Sequence, residues 1–356
     1  MRILQIIDSL ETGGAERMAV NYANKLAEKI EFSGLIATRK EGLLLRQIAP
    51  AVSYLFLNKR LVIDFKAIFL LRNYVVKNSV TIIHAHSSSF FIAMLLKLTL
   101  PKIKIIWHDH YGISQDLSQR KNWSLKFGSF FFTGIVSVNS ALKEWARSYL
   151  LCSNVIYLSN FIESSSREDE DLALKGIEGK RIICVANLRP QKNHKLLIDV
   201  ARIIKKNYPE WTFHLFGKDF EDDYSKEIKH SIEHLNLKEQ VFFYGSTNTI
   251  SSSLKQCDIG ILTSRSEGLP LAILEYGLYN LAVVATDVGE ISKVIISGTD
   301  GVIVESNNLN EFVDAIEKLI RDEKYREELS LKLKNKIEKF YSGDYIISQY
   351  LSWMVQ

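Results

Sequence analysis

One pattern constrains this chain more than any other, and it occurs twice: short aliphatic and β-branched runs alternate with longer segments of helical spacing. In the first half the runs are "RILQII", "FSGLIAT", "VSYLFL", "TIIHAH", "KIIWHD" and "GIVSVN". Between the first two lies "ERMAVNYANKLAEK", with Ala19, Tyr22, Ala23 and Leu26 at helical intervals. Such alternation predicts a parallel sheet covered by crossover helices. A second series then reads "RIICVAN", the helix "HKLLIDVARIIKK", "WTFHLFG", the helix "YSKEIKHSIEHL", "VFFYG", "IGILTS", a helix after Pro270, and "AVVATD". The stretch 159–180, "SNFIESSSREDEDLALKGIEGK", is polar and acidic and reads as the crossing between the two series.

A chain of 356 residues exceeds the usual single core, so two domains are expected, 1–163 and 164–340. Each reads as an α/β, doubly wound, Rossmann-like domain. Ligands of open parallel sheets gather at the carboxyl ends of the strands, which makes a cleft between two facing sheets the expected site. The tail after Asn310 is helical, and "DYIISQYLSWMV" near its end has aliphatic and aromatic residues that must pack somewhere.

Hydrophobic residues at 47% and charged ones at 24% are those of an ordinary globular protein. Cys152, Cys184 and Cys257 stand far apart, without a C-x-x-C pair or a nearby histidine cluster, which predicts reduced thiols in a cytoplasmic setting and no metal. The start "MRILQIIDSL" reads as a strand rather than a signal peptide. The oiliest stretch, "FFIAMLLKLTL", is shorter than the roughly 20 residues that span a bilayer.

Net charge is +4 but unevenly spread: residues 1–163 hold 20 Lys and Arg against 11 Asp and Glu, a surplus of +9, and the remainder is at −5. A basic first half fits either solvated surface charge or an anionic membrane, and Lys97, Lys102, Lys104, Arg120, Lys121 and Lys126 fall beside the aromatic run "FGSFFF". No basic motif interleaved with aromatics points to nucleic acid.

Several motifs can carry chemistry. In "SRSEGLPLAILEYG", Pro270 suits the first position of a helix starting near Leu269. The helix N-terminus beside Glu267 and Gly268 would then form an anion pocket. Glu275 stands about one and a half turns into that helix. Two carboxylates flanking a phosphate pocket suit a ligand with hydroxyls on both sides of a phosphate pair, such as a nucleotide sugar. On spacing alone, the pair could equally be a turn residue and a solvated helix position. "ANLRPQKNHKLL" puts Arg189 and Lys192 after a strand, where cations can hold a diphosphate. "SLETGGAERM" puts Gly13 and Gly14 between the first strand and first helix, open to close backbone approach, but it is neither a Walker loop nor a dinucleotide fingerprint. "WHDHYG" places His108, Asp109 and His110 after the strand "KIKII"; His108 could be structural or could bond a sugar hydroxyl or a reacting oxygen.

Taken in order, "SLETGGAER", "HAHSS", "WHDHYG", "ANLRPQKNH", "FHLFG", "VFFYG", "LTSRSEGLPLAILE" and "ATDVGEISKVI" resemble the retaining glycosyltransferases of family 4, which have the GT-B fold. The resemblance covers the whole chain, and its sharpest element is Glu267 and Glu275 with the embedded Gly-Leu-Pro. It implies that Glu267 touches the donor hexose, that Gly268, Leu269 and Pro270 touch its phosphates, that Glu275 touches the ribose, and that Lys192 with an arginine holds the diphosphate. Many members carry arginine five positions before that lysine; here Asn187 stands there, and Arg189 is the nearest substitute. The resemblance further implies that segment 341–356 packs back onto the N-terminal domain. The function expected is transfer of a hexose from a nucleotide-diphosphate sugar to a glycan or lipid-linked acceptor in bacterial cell-surface polysaccharide biosynthesis. His108, Lys192 and Glu267 would serve catalysis, without metal or other cofactor, and reversible contact with an anionic membrane surface is expected. A nucleotide-sugar epimerase and a non-catalytic sugar-nucleotide-binding subunit are the alternatives.

Overall fold

The apolar runs form two sheets in which every neighbouring pair of strands is parallel. In the first, β1 (Arg2–Ser9), β2 (Phe32–Lys40), β3 (Ser53–Phe56), β4 (Ile82–His86), β5 (Lys104–Asp109), β6 (Gly134–Ser137) and β7 (Val155–Tyr157) lie in the order β3-β2-β1-β4-β5-β6-β7. In the second, β8 (Arg181–Val185), β9 (Thr212–Phe216), β10 (Val241–Gly245), β11 (Ile259–Leu262), β12 (Ala282–Thr286) and β13 (Val302–Val304) lie in the order β10-β9-β8-β11-β12-β13. This computed structural model describes residues 1–111, 117, 120, 121, 123–163, 172–247 and 250–355. The centre of the expected crossing, 164–171, lies outside the described residues. The chain divides into two compact units, Met1–Glu163 with Ser342–Gln356, and Ser164–Tyr341.

The helices of the first unit are α1 (Gly14–Ala27), α2 (Phe65–Lys77), α3 (Phe90–Thr99), α4 (Trp123–Ser129) and α5 (Ser140–Tyr149). The second unit holds α6 (His194–Asn207), α7 (Asp223–His234), α8 (Ser251–Leu254), α9 (Leu271–Leu278), α10 (Ile291–Val294), α11 (Leu309–Arg321) and α12 (Glu323–Phe340). The last helix, α13 (Gly343–Val355), returns to the first unit and packs on α1. Its Tyr350 is buried edge-on to Tyr22 at 5.3 Å, and the Trp353 indole donates to Asn154 Oδ1 at 2.8 Å.

One face of the first sheet buries Ile7, Leu10, Ala19, Ala23, Leu35 and neighbours under α1. The other buries Ile83, Ile105, Trp107 and Ile135 under α2, α3 and α5, with residues such as Leu71, Ala93 and Trp145 facing inward. Five helices start on an Asp or Asn whose side chain accepts a first-turn backbone N–H: Asp64, Asn139, Asp222, Asn308 and Asp322. Each such cap is worth about 1 kcal/mol, so those starts are written locally. Helix α9 has no side-chain cap. No helix among the described residues is long and apolar enough to cross a membrane.

Candidate active site

In the second sheet the chain moves outward from β8 to β10 and then crosses to the other side at β11, so β8 and β11 are neighbours whose connections diverge. The loop after β8 carries Lys192 and the loop after β11 carries Glu267. The Lys192 ammonium meets Glu267 Oε1 at 2.5 Å, and the Ser264 hydroxyl donates to the same oxygen at 2.6 Å. Glu267 is only 6% exposed, so its charge needs these partners. The two loops are also fastened through backbone. Thr263 Oγ1 donates to the Lys192 carbonyl at 3.0 Å, Arg265 N–H to the Gln191 carbonyl at 2.8 Å, and Thr286 Oγ1 to the Ser264 carbonyl at 2.6 Å.

Helix α9 begins at Leu271, two residues after Leu269, and Pro270 occupies the N-cap rather than the first helical position. Its ψ of 129° is still extended, and its carbonyl accepts the Ile273 N–H at 3.2 Å. An uncapped first turn is the condition in which a helix N-terminus receives an anion. Leu269 is buried just ahead of it. Glu275 stands on the second turn, about 6 Å further along the axis, and at 7% exposure it is not a solvated position. The adjacent Tyr276 fixes the helix, because its hydroxyl accepts the Val185 N–H at 2.7 Å and donates to the Ile261 carbonyl at 3.2 Å, bracing β8 and β11 together. Gly289 lies directly against the backbone of the Glu267 loop. Its φ is +63°, and a Cβ there would lie 2.3 Å from the Glu267 carbonyl and 2.4 Å from that of Gly268. Beneath the loops, burial pushes the Cys184 thiol up to about 12, with Lys192 opposing the rise and Glu267 adding to it, so it is inert.

Asn187 does not point a charge at this site. Its Oδ1 accepts the Lys218 backbone N–H at 2.7 Å, joining the ends of β8 and β9. The exposed Arg189 lies with its guanidinium 4.6 Å from the Phe220 ring, and Lys218 Nζ lies 5.3 Å from the same ring. Lys218 was not singled out from the sequence; its only signal is its place directly after the Gly that ends "FHLFG". Ser264 was missed as well, although it stands three positions before Glu267.

In the first unit the diverging neighbours are β1 and β4. Gly13 is the N-cap of α1 and Gly14 its first residue. The Glu16 carboxylate folds over Gly13 so closely that a Cβ there would meet Oε2 at 2.2 Å, whereas one at Gly14 would meet open space. At the end of β1, Asp8 accepts hydroxyls from Thr38 at 2.5 Å and Ser88 at 2.6 Å.

His108 is not past its strand. Pairing with β6 continues through Asp109, so His108 lies inside β5, directly across from His86, and is 1% exposed. His110, partly exposed, takes the strand-end position expected of it. H-x-H on each of two adjacent strands puts four imidazoles on one face. They form two hydrogen-bonded rows. In one, Tyr350 OH lies 3.1 Å from His84 Nδ1, and His84 Nε2 lies 3.1 Å from His108 Nδ1. In the other, Gln5 Oε1 accepts from His86 Nε2 at 2.8 Å, which leaves His86 Nδ1 to accept from His110 Nε2 at 2.9 Å. Tyr22 covers the rows edge-on. Burial, above all, holds His84, His86 and His108 well below the ordinary imidazole value and lowers His110 to about 3. Next to them Asp109 is raised by burial against the pull of Arg120, whose guanidinium bridges both its oxygens at 2.7 and 2.9 Å. His84, His86 and His108 offer nitrogens within 4.8 Å of one another, near enough for a metal, but those of His84 and His86 are already spent on hydrogen bonds within the rows.

Residues 12–166 match the sequence profile described as Glycosyltransferase Family 4, and residues 167–336 that of Glycosyl transferases group 1. Relatives include the UDP-Gal:alpha-D-GlcNAc-diphosphoundecaprenol alpha-1,3-galactosyltransferase of Escherichia coli, 24% identical over 299 residues, which are 79% of this chain and 76% of that one. An uncharacterized glycosyltransferase of Haemophilus influenzae is 25% identical over 346 residues, 95% and 94% of the two chains. Among solved structures, Anabaena HepE in complex with UDP and glucose superposes with a TM-score of 0.79 at 18% identity, covering 100% of this chain and 99% of its own. Two parallel Rossmann-like sheets of this order, with these matches, define an enzyme of the GT-B class, a glycosyltransferase that uses a nucleotide sugar. Within that class the chain belongs to glycosyltransferase family 4, whose members retain anomeric configuration.

Gly289→Ala tests whether the backbone of the Glu267 loop must hold its position for nucleotide binding. The substitution forces a Cβ into the Glu267 and Gly268 carbonyls at a left-handed backbone position. Nucleotide affinity is expected to fall at least tenfold while far-UV circular dichroism stays native; unchanged affinity in calorimetry would show that binding does not need that position.

The buried imidazoles predict acid sensitivity. Burial also lowers His194 and His214 to about 4. A depressed folded value means that the unfolded chain takes up the proton first, from about pH 6.5 downward. Their contribution is therefore complete above pH 6.5 and is lost as pH falls towards about 4, at up to about 1.4 kcal/mol per pH unit for each imidazole. Urea midpoints measured from pH 7.5 to 4.5 should fall along that window, and a flat profile would contradict neutral burial.

Proposed function

We propose that the Lys192 and Glu267 pair is the centre of the donor site and that the first unit presents the acceptor. The observation that carries this reading is a nearly buried acid–base pair at the diverging strands of the second sheet, beside an uncapped helix N-terminus. The ammonium and carboxylate pair with each other. A nucleoside diphosphate sugar brings both replacements: its phosphates take the ammonium, and its hexose hydroxyls take the Glu267 carboxylate. Gly268, Leu269 and Pro270 lead the phosphates to the first turn of α9, Glu275 receives the ribose, and Arg189 and Lys218 stand at the outer side of the diphosphate. Of the two glycines expected to contact the donor, Gly14 leaves its backbone open to close approach, while Gly13 lies under the Glu16 carboxylate.

In the same-face displacement usually discussed for the family, the anomeric C–O bond to the β-phosphate breaks as the acceptor oxygen bonds on the same side. The acceptor proton passes to the departing phosphate. Negative charge grows on that phosphate, and Lys192 with the α9 N-terminus would stabilise it without a metal. An acceptor carried on a lipid diphosphate, as named for the Escherichia coli relative, fits the basic first unit, as do a cytoplasmic location and reversible contact with an anionic membrane surface.

Glu275→Ala should weaken nucleotide binding, because the ribose contact is common to ground and transition states, whereas Glu267→Ala should mainly lower kcat. Lys192→Ala should cut kcat/KM by roughly two to three orders of magnitude. Wild-type kinetics in the glutamate variants would remove this site.

A thermal-shift panel of UDP, GDP, ADP and dTDP should single out one base, since a ligand at a hundred times its Kd adds about 2.7 kcal/mol of stability. Activity should survive EDTA. Complete loss in chelator, restored by Mn²⁺, would overturn the metal-free mechanism.

A further inference from the structure

Two lysines of the first unit are equally buried: Lys25 and Lys59 are each 7% exposed. Lys25 has the carboxylates of Glu28, Glu163 and Asp344 at ion-pair distance, and they raise its ammonium despite burial. Lys59 has no such company. Among the described residues its ammonium meets no carboxylate at ion-pair distance and no hydrogen-bond acceptor. Burial lowers it and nearby Arg39 lowers it further, against the weaker pull of Asp8 and Asp64. A buried charge is ordinarily paired, because leaving it alone is costly. The surroundings of Lys59 therefore call for an anion that the described chain does not supply.

A local turn puts Lys59 there. Strand β3 ends at Phe56, and the Leu57 N–H continues its ladder onto the Ala37 carbonyl at 3.0 Å. Asn58 takes the left-handed backbone, φ +48°, which Asn tolerates better than most residues. The Lys59 N–H then bonds the Thr38 carbonyl at 2.7 Å. Lys59 thus stands past the carboxyl end of β3, beside Arg39 near the end of β2 and Asp8 near the end of β1, and these strands are neighbours in the sheet. This is the edge at which open parallel sheets receive ligands.

The two carboxylates that pull on Lys59 are already engaged. Asp8 accepts the Thr38 and Ser88 hydroxyls and stands 4.0 Å from Arg39 Nε. Asp64 accepts the backbone N–H groups of Arg60 and Ala67, both at 3.1 Å, and its charge faces the positive end of α2. Lys59 and the exposed Arg39 are left as two cations that repel each other. An anion between them removes that repulsion. Phosphate suits the pair better than carboxylate, because a guanidinium fork occupies both oxygens of a carboxylate, whereas a phosphate keeps another for the ammonium.

We propose that Lys59 and Arg39 bind the phosphate of a sugar phosphate at the carboxyl edge of β1, β2 and β3, where Asp8 accepts a hydroxyl of its sugar. This site deepens the reading of the first unit as the one that presents the acceptor, and rests on it: the acceptor is a sugar attached to phosphate.

The test uses the full chain labelled with 13C at the lysine ε-carbons, the Lys59 signal being identified by its loss in Lys59→Arg. Titration with glucose 1-phosphate should move that signal saturably, in wild type and in Lys192→Ala alike. Inorganic phosphate should move it with lower affinity, and glucose should not move it. Arg39→Gln should weaken glucose 1-phosphate binding by about tenfold or more, the loss of one charge-assisted contact. Lys59→Met should bind neither phosphate and should have a urea midpoint at or above that of wild type, because it removes an uncompensated buried charge. Absence of a saturable shift with either phosphate would overturn the proposal, and so would a lower midpoint for Lys59→Met, which would mean that the ammonium already has its partner. An equal response to glucuronate would overturn the assignment to phosphate. A response that disappears in Lys192→Ala would place the probe at the donor site instead. Nucleotide binding, followed by calorimetry, reads the donor site separately: a chain whose Lys59 answers glucose 1-phosphate but which binds no nucleotide keeps this site and loses the donor reading, and the reverse result loses this site alone.

Discussion

A parallel sheet opens a ligand-sized gap only where two neighbouring strands send their connections to opposite sides, and everything chemical in this chain depends on where those gaps fall. In the second sheet the gap lies between β8 and β11, so the loops that follow those strands must meet. One brings Lys192 and the other Glu267. Either charge alone, so nearly buried, would cost several kcal/mol. Paired at 2.5 Å, with Ser264 on the same oxygen, they satisfy each other. Tyr276, bonded to backbone of both strands, keeps the gap at fixed width.

The first sheet has the same order at its centre and a different solution. Between β1 and β4 the buried polar groups are imidazoles and an amide, and burial keeps the imidazoles uncharged. Uncharged rings can stack and pass hydrogen bonds along two rows, which charged rings could not do side by side. Asp8, at the rim, is held by two hydroxyls. The two units therefore share a topology but differ in what lies at the gap: an ion pair in one, and neutral imidazoles with a hydroxyl-bound carboxylate in the other.

Much of this was legible in the sequence because strand alternation and spacing are local signals. The parallel sheets followed from the runs themselves; Glu267, Lys192 and Glu275 were singled out by their places beside a proline and a strand end, but their roles came from the family resemblance, since spacing alone left them open. The misses have physical causes. Pro270 fits both an N-cap and a first turn, and only its extended ψ distinguishes them. His108 was placed beyond its strand by ending the run at "KIKII", whereas "KIIWHD", the run also read from the sequence, is β5 itself, paired with β6 through Asp109. Lys192 as the partner of Glu267, and the partners of Asn187 and His84, lie on other elements, so no spacing rule reaches them. In "FKAIFLLRNYVVK" apolar residues stand all around the helix, and periodicity cannot tell which of them the sheet leaves outside.

The first unit is also discontinuous, and that constrains how it forms. Strand-like pairing of Ile162 with Ser342 ties together the two points at which the chain leaves and re-enters it. Lys25 stands at the same place, 2.9 Å from Glu28, 3.1 Å from Asp344 and 3.6 Å from Glu163. Burial alone would lower its ammonium, but the three carboxylates outweigh that and raise it. This junction delivers α13, whose Tyr350 meets His84 across 266 residues of sequence. Contacts of such separation form late, because the intervening chain must be ordered first. The face of the sheet that carries His84 and His108 therefore acquires its last cover only after the second unit has been synthesised, and a chain ending before Ser342 would leave Tyr22 and the His84–His108 row without it.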